Sequence, residues 1–358
     1  MQDQFFKGLK VIELASVLAG PAVGMFFSEL GAEVIKIENK STGGDVTRKW
    51  KLPTEDKSAF HSAYYCSVNW QKRILFKNLQ EESDRTEVLD LIRTADIVVS
   101  NFKPTSAEKM GMDYESLRTI NNQLIYAELT SYGKKDATPA FDIVMQAEAG
   151  FLYMCGEPDR NPVRMPVALI DLLAAHQLKE GILIALLKKM RTGEGSFVST
   201  SLLESAVASL ANQATNWLMG STIPQRMGSQ HPNIAPYGDV FLTKDNLPIV
   251  LAVGTEKQFQ LLCNTLNVSF LKDDNRFNVN TLRVTNRKEL ADELAKAIVA
   301  FDRKSLLDLL KKVGVPAGNI RNMKEVFELE QAKAMILEET LEDGSKTKRV
   351  KTVAFTIS

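Results

Sequence analysis

One carboxylate stands out because of the apolar residues on both sides of it. Asp171 follows the sequence Val-Ala-Leu-Ile and precedes Leu-Leu-Ala-Ala. A lone aspartate in such surroundings is either a helix N-cap or a functional group. The two interpretations are compatible, since a helix N-terminus would keep the carboxylate ionised and therefore nucleophilic.

Basic residues cluster after several segments that are predicted to be strands. Lysine and arginine are the expected partners of a ligand with several phosphates, such as a 3′-phosphorylated ADP group. Each one alone is better explained as a solvated surface charge, and only their clustering favours a binding site. These residues are Lys36, Lys40, Arg48, Lys72, Arg73, Lys77, Lys103 and Lys109.

A glycine-containing turn, Leu18-Ala19-Gly20-Pro21, precedes the first predicted helix. It has neither the GxGxxG pattern nor the lysine and Ser/Thr of a P-loop, so a dinucleotide or ATP site is poorly supported. Backbone amides at the start of that helix would favour an anion or a bulky ligand. A purely structural turn is the alternative.

The chain lacks the sequence motifs of serine-based nucleophilic catalysis and of common metal sites. The chain has no GxSxG nucleophile elbow, and His61, His176 and His231 stand in unrelated contexts. Without HExxH or an EF-hand loop, a catalytic metal is not expected. The three cysteines share no CxxC spacing, which argues against zinc and disulfides and fits a reducing cytosol.

Composition and charge narrow the possible partners. The 358 residues include 44 basic and 44 acidic side chains, so no overall field favours nucleic acid or a membrane surface. The N-terminal apolar run is too short for a signal peptide, and charged residues interrupt the most hydrophobic segment. A soluble, cytoplasmic protein is expected.

The pattern of apolar segments predicts an α/β fold. Short strands at 9–14, 32–38, 97–100 and 124–129 alternate with helices, which is typical of a doubly wound parallel sheet with its ligand at the carboxyl ends of the strands. A long apolar helix is predicted over 166–191 and another over 202–218. The predicted domains are a large domain over 1–219, a smaller α+β domain over 220–315, and a return to the large domain over 316–358.

The order of several motifs resembles the family III CoA-transferases, the group that contains formyl-CoA and crotonobetainyl-CoA transferases. The similarity extends over nearly the whole chain, and no single motif would suffice. The matching segments are GLKVIELASVLAGPAVGMFFSELGAEVIKIENKSTGGDVTR, VNWQKR, ADIVVSNFKPTSAEKMGM, FDIVMQAEAG, ALIDLLAAHQLKEGILIALLKKMRTGEGSFVSTSLLESA, HPNIAPYGDVF and GVPAGNI.

The resemblance implies an enzyme that moves coenzyme A from an acyl-CoA to a carboxylic acid, with no tightly bound cofactor. Asp171 matches the family's catalytic aspartate, which forms a mixed anhydride and then an aspartyl-CoA thioester. A Rossmann-like large domain, a small domain and an interlocked homodimer are implied as well. The residues that match the family's CoA contacts are Leu18, Ala19, Asn39, Lys77, Asn101, Lys103 and Lys109.

Departures from the family pattern bear on the substrate and on the alternatives. Formyl-CoA transferases carry glutamine where Leu18 stands and a glycine-rich loop where 228–233 has one glycine, so formyl-CoA and oxalate are not favoured. The related α-methylacyl-CoA racemases need a histidine where Phe141 precedes Asp142, although Glu256 matches the region of their supporting glutamate. A racemase, a non-catalytic CoA-binding protein and a CoA-thioester hydrolase remain the alternatives.

Overall fold

Six strands form one parallel sheet in the computed structural model, which describes residues 4–134, 136, 138–341 and 343–357. The strand order is β3-β2-β1-β4-β5-β6, and every neighbouring pair is parallel. The predicted parallel α/β sheet is therefore confirmed. The strands are β1 Lys10–Leu14, β2 Glu33–Asn39, β3 Arg73–Lys77, β4 Ile97–Ser100, β5 Ile125–Thr130 and β6 Ser196–Ser201.

Helices connect these strands and cover the sheet. Two 3-10 turns, Lys40–Thr42 and Val46–Lys49, follow β2. The α-helices in the first half of the chain are α1 Ala19–Glu29, α2 Ala63–Cys66, α3 Glu82–Arg93, α4 Pro104–Met110, α5 Tyr114–Arg118, α6 Asp142–Glu148 and α7 Phe151–Met154.

The longest helix, α8 Leu169–Thr192, is the long apolar helix expected from the sequence. It packs against α1 and β6 and buries Ile170, Ala174, Leu178 and Ile182 along one side. It ends at Gly193, whose φ of 72° is a left-handed conformation that glycine adopts without strain.

The strand order creates a switch point between β1 and β4. From β1 the chain proceeds in one direction across the sheet through β2 and β3, and from β4 it proceeds in the other direction. The loops that follow these two strands therefore leave a crevice at the carboxyl end of the sheet, which is where ligands bind in open α/β sheets.

The chain divides into two compact units. One comprises Met1–Gly150, Met165–Asn212 and Lys333–Ser358, and the other comprises Phe151–Arg164 and Gln213–Ala332. The predicted division into 1–219, 220–315 and 316–358 stays a prediction. Within the described residues, no helix combines the length and the apolar character needed to cross a membrane.

The second unit has its own antiparallel sheet and hydrophobic core. Its strands pair in the order β7-β8-β9, and buried side chains such as Phe259, Leu262, Phe277 and Leu294 fill the core. The remaining elements of the chain, in order, are α9 Leu202–Ala208, α10 Ala211–Gly220, β7 Tyr237–Leu242, β8 Pro248–Ala252, α11 Glu256–Thr265, α12 Phe270–Asp273, α13 Asn280–Thr285, α14 Arg287–Ile298, α15 Arg303–Val313, β9 Ala317–Asn319, α16 Met323–Val326, α17 Glu330–Lys333, β10 Ile336–Thr340 and β11 Lys346–Val350.

Candidate active site

Asp171 lies in the first turn of α8, with 8% of its surface exposed. The N-cap position belongs to Ala168, so the interpretation of Asp171 as the cap is wrong. No described residue donates a hydrogen bond to the Asp171 carboxylate. A buried carboxylate without a partner is rare in folded proteins, which indicates a functional group.

Another aspartate supplies the missing cap from α6. The Asp142 Oδ1 atom accepts a hydrogen bond from the Ile170 amide at 2.7 Å and lies 3.4 Å from the Asp171 amide nitrogen. The Gln146 Nε2 group donates to Asp142 Oδ2, and Gln146 Oε1 accepts from the Met165 amide. The start of α8 is therefore fixed by buried groups of α6.

The electrostatic environment of Asp171 is the opposite of the one expected from a helix N-terminus alone. Burial, and then the charge of Asp142, raises the pKa of Asp171 from 3.8 to about 7. The expectation that the helix would keep this carboxylate ionised is wrong because burial disfavours the charge and Asp142 already occupies the amides.

The Asp171 side chain borders a cleft of about 370 Å³ at the switch point. Leu18 from the loop after β1 and Ala19 from the start of α1 line this cleft, and the loop after β4 contributes Asn101 and Lys103. The structure thus brings four of the predicted CoA-contacting residues together with the predicted catalytic aspartate. Lys103 is exposed and has no ion pair among the described residues.

Hydrogen bonds from two sides hold the loop between β1 and α1. The Asn101 side chain accepts from the Ser16 amide at 3.1 Å and donates to the Ser16 carbonyl at 3.0 Å. The Asp45 carboxylate accepts from the Val17 amide at 3.1 Å. Val17 has a φ of 73°, an unusual conformation for a β-branched residue. Sequence analysis missed Asp45, although it is the aspartate of the matching segment GGDVTR.

Several members of the basic cluster that favoured a phosphate site are neither surface charges nor free to bind phosphate, because they are buried beneath this loop. Lys36 and Lys72 both form ion pairs with Glu13, at 2.9 and 2.7 Å, and all three side chains are fully buried. Lys36 also pairs with Asp45 at 3.1 Å. A close approach at Gly24 makes this possible, because a Cβ atom there would lie 1.9 Å from Glu13 Oε2.

Arg48 is also a structural residue. Its guanidinium forms an ion pair with Glu38 at 2.7 Å, and Glu38 accepts a hydrogen bond from the Asp45 amide at 2.9 Å. The prediction that Arg48, Lys36 and Lys72 help to bind phosphate is therefore wrong, because buried carboxylates already neutralise these charges.

A second cleft of about 640 Å³ shares Ser16, Val46 and Phe102 with the first. Asn39 and Lys77, both predicted to contact CoA, lie along it. Lys77 forms ion pairs with Asp84 and Glu87 on α3. Lys109 is exposed and borders neither cleft.

Two residues bear on the racemase alternative. Phe141 lines the same cleft as Asp171, and its ring cannot exchange a proton. Glu256 lies in the second unit, where it forms an ion pair with the buried Arg283 at 2.7 Å. Across the described ranges, no cluster of three His, Cys, Asp or Glu side chains could hold a metal ion.

The comparisons with known protein families and with single proteins agree with one another. The family model described as CoA-transferase family III matches residues 6–358. The chain is 38% identical to a succinate–glutarate CoA-transferase of Agrobacterium fabrum, over 96% of this chain and 88% of the relative. It is 36% identical to the succinyl-CoA:glutarate CoA-transferase of Homo sapiens, over 90% of this chain and 73% of the relative.

A similar fold has been solved by crystallography. A CAIB/BAIF family protein from Brucella suis superposes with a TM-score of 0.85 and 37% sequence identity. The match covers 100% of this chain and 93% of that protein.

Proposed function

Because the chain belongs to CoA-transferase family III, we propose that Asp171 is the nucleophile through which it moves coenzyme A from an acyl-CoA to a carboxylic acid. The observation that carries this proposal is the position of Asp171. It is a buried carboxylate to which no described residue donates a hydrogen bond, and it borders the cleft at the switch point of the sheet.

The proposed reaction begins with attack on the donor thioester. A carboxylate oxygen of Asp171 bonds to the acyl carbon, the carbon–sulfur bond breaks, and CoA leaves as a thiolate. The thiolate then attacks the Asp171 carbonyl carbon of the mixed anhydride. The donor acid leaves as a carboxylate, and an aspartyl-CoA thioester remains. An acceptor carboxylate then attacks the aspartyl-CoA thioester, and the two steps run in reverse. The acceptor leaves as its CoA thioester, and Asp171 is a free carboxylate again.

The burial of Asp171 suits this chemistry. Both covalent intermediates would react with water, and a nucleophile with 8% exposure limits the access of water to them. Backbone amides of the loop before α1 are the proposed donors to the developing oxyanion, because Leu18 and Ala19 line the cleft beside Asp171.

We propose that CoA spans the two adjoining clefts. Leu18, Ala19, Asn101 and Lys103 would contact the part of CoA nearest Asp171, while Asn39 and Lys77 would contact a more distant part. Because Asn101 is hydrogen-bonded to Ser16, its contribution includes holding the loop that the ligand meets. Lys109, at the end of α4, would bind phosphate from outside the clefts.

The names of the two relatives favour a dicarboxylic substrate. Both names specify glutarate, and they pair it with succinate or with succinyl-CoA. We therefore propose succinyl-CoA as donor and a short dicarboxylic acid as acceptor. In this proposal CoA enters and leaves as a substrate and is not a tightly bound cofactor. We further propose that the protein acts in the cytoplasm and that its active form is an interlocked homodimer.

A transfer assay tests this function. The enzyme is incubated with succinyl-CoA and each of a panel of short mono- and dicarboxylic acids, and mass spectrometry follows the CoA thioesters. We expect a new thioester of a dicarboxylic acid in the amount of succinyl-CoA consumed, with little free CoA. Free CoA without any new thioester would instead identify a hydrolase, and exchange of the α-proton would favour a racemase.

A further inference from the structure

Asp142 is a buried carboxylate for which the reaction described above has no use. We propose that Asp142 is a positioning residue whose negative charge drives Asp171 from its free carboxylate toward its uncharged, CoA-bound form. The inference rests on the proposed role of Asp171 as the covalent nucleophile.

The geometry keeps Asp142 fixed beside Asp171. Asp142 is 7% exposed, and its Oδ1 atom lies 2.7 Å from the Ile170 amide and 3.4 Å from the Asp171 amide. Gln146, which is fully buried, holds the other carboxylate oxygen. Asp142 can therefore neither move away from α8 nor gain solvent when Asp171 ionises.

Asp142 acts on Asp171 in two ways. Its charge repels the charge of a free Asp171 carboxylate across a region with little solvent screening. It also occupies the amides at the start of α8, which would otherwise stabilise an anion at Asp171. Both effects disfavour the ionised state of Asp171 and leave its neutral states unaffected.

Among the described residues, no positive charge contributes to the pKa of Asp171 in a way that would offset this repulsion. The pKa of Asp171 is raised by burial first and then by Asp142, with no further charged group contributing. Within the part of the chain that the structure describes, the other charged groups on the cleft and on the elements packed against α8 are Lys103 and Asp136 on the cleft, Glu148 on α6, Glu204 on α9, Glu128 on β5, and Glu29 on α1.

The covalent steps move charge away from this pair of aspartates. When Asp171 attacks the thioester, its negative charge leaves with the CoA thiolate. When the thiolate attacks the anhydride, the charge leaves with the donor carboxylate. Asp171 is uncharged in both the anhydride and the aspartyl-CoA thioester, so the repulsion from Asp142 is relieved as soon as the first bond forms. The same preference for the neutral state appears in the raised pKa.

The substitution Asp142→Asn isolates the charge from the cap. Asparagine retains an Oδ1 atom that accepts the Ile170 amide, while the negative charge is lost. The enzyme is equilibrated with fixed concentrations of succinyl-CoA and succinate, and intact-protein mass spectrometry measures the fraction that carries CoA. We expect the equilibrium constant for CoA loading to fall about tenfold, as for a shift of one pKa unit. The acid limb of kcat/KM should move to lower pH.

A matched control is Glu148→Gln, which removes an exposed carboxylate from the same helix and should change neither quantity. Asp142→Ser repeats the test if Asp142→Asn does not fold, because a hydroxyl also accepts a helix amide. A merely structural role would lower activity without shifting the loading equilibrium and the acid limb together.

The possible outcomes distinguish a failure of the proposed role of Asp142 from a failure of the proposed function. Equal loading and an unchanged acid limb in a folded Asp142→Asn enzyme would overturn the role of Asp142 alone. Wild-type enzyme that never carries CoA on Asp171 would overturn both proposals. Even without a folded variant, a wild-type acid limb at an ordinary carboxyl pKa of about 4 would contradict the inference.

Discussion

The Asp45 carboxylate accepts a hydrogen bond from the backbone amide of Val17, with 3.1 Å between Oδ2 and the nitrogen. Val17 has a φ of 73°, which costs about 1–3 kcal/mol for a residue other than glycine. Asp45 is itself held by Lys36 and by the 3-10 turn that follows it. This chain of contacts fixes the loop that carries Leu18 and Ala19 to the cleft.

We expect Asp45→Ala to lower kcat/KM about ten- to a hundredfold, because the loop loses the hydrogen bond that holds Val17 at positive φ. Adding Val17→Gly should recover part of the loss, since glycine adopts this conformation without strain. Steady-state kinetics of the single and double variants measure both effects. A double variant that is no better than Asp45→Ala would show that Asp45 does not act through Val17.

The exposed lysines near β4 give a test of CoA recognition. Lys103→Ala and Lys109→Ala should each raise KM for the acyl-CoA about tenfold, the effect of one lost charge-assisted hydrogen bond, with smaller effects on kcat. Lys7→Ala, at another exposed lysine, is the control. Unchanged KM values in both variants would mean that Lys103 and Lys109 are only surface charges.

The raised pKa of Asp171 predicts a stability difference that depends on pH. Folding favours the protonated carboxyl, so wild-type stability is lost as pH rises from 3.8, the pKa of an unperturbed aspartate, through about 7, the pKa of Asp171 in the fold. Above that pH the full cost is present, on the order of 4 kcal/mol.

Because Asp171→Asn does not ionise, it should be more stable than wild type at pH 8 and close to it at pH 4. Thermal melting of both proteins across this range measures the difference. A stability difference that does not change with pH would contradict the raised pKa.

The proposed interlocked homodimer predicts that folding and association are inseparable. Sedimentation velocity should find a dimer even at nanomolar concentration, because interlocked chains must unfold to separate. An active, folded monomer at any concentration would be incompatible with this assembly.

Local sequence was sufficient for the elements that position the site. The alternation of short apolar runs and helices predicted the parallel sheet, and the long apolar helix predicted over 166–191 ends one residue before the end of α8. The predicted helix over 202–218 is wrong in one respect, because Ser209 and Leu210 separate α9 from α10, and Ala211 at the start of α10 has a φ of 47°. Neither glycine nor proline marks that break in the sequence.

Local sequence could not predict which charged side chains form buried ion pairs or cap a helix, because their partners are distant along the chain. Asp142 and Ile170 are 28 residues apart, so the sequence around Asp171 does not reveal which group caps α8. One signal was available in the sequence: Glu13 and Lys36 carry opposite charges within two apolar runs that were predicted to be parallel strands, and the structure makes them direct register partners. That pairing indicates a buried ion pair, which would have removed Lys36 from the phosphate-binding residues.

Trapping the covalent intermediate tests directly whether Asp171 is the nucleophile. Wild-type enzyme is incubated with succinyl-CoA and then treated with hydroxylamine, which converts an aspartyl thioester to a hydroxamate, and the digested protein is analysed by mass spectrometry. We expect one modified peptide, the one containing Asp171, and almost no transfer by folded Asp171→Ala and Asp171→Asn variants. Modification at Asp142 or Glu256 would move the nucleophile, and an Asp171→Ala enzyme that transfers CoA at a near-normal rate would contradict the account.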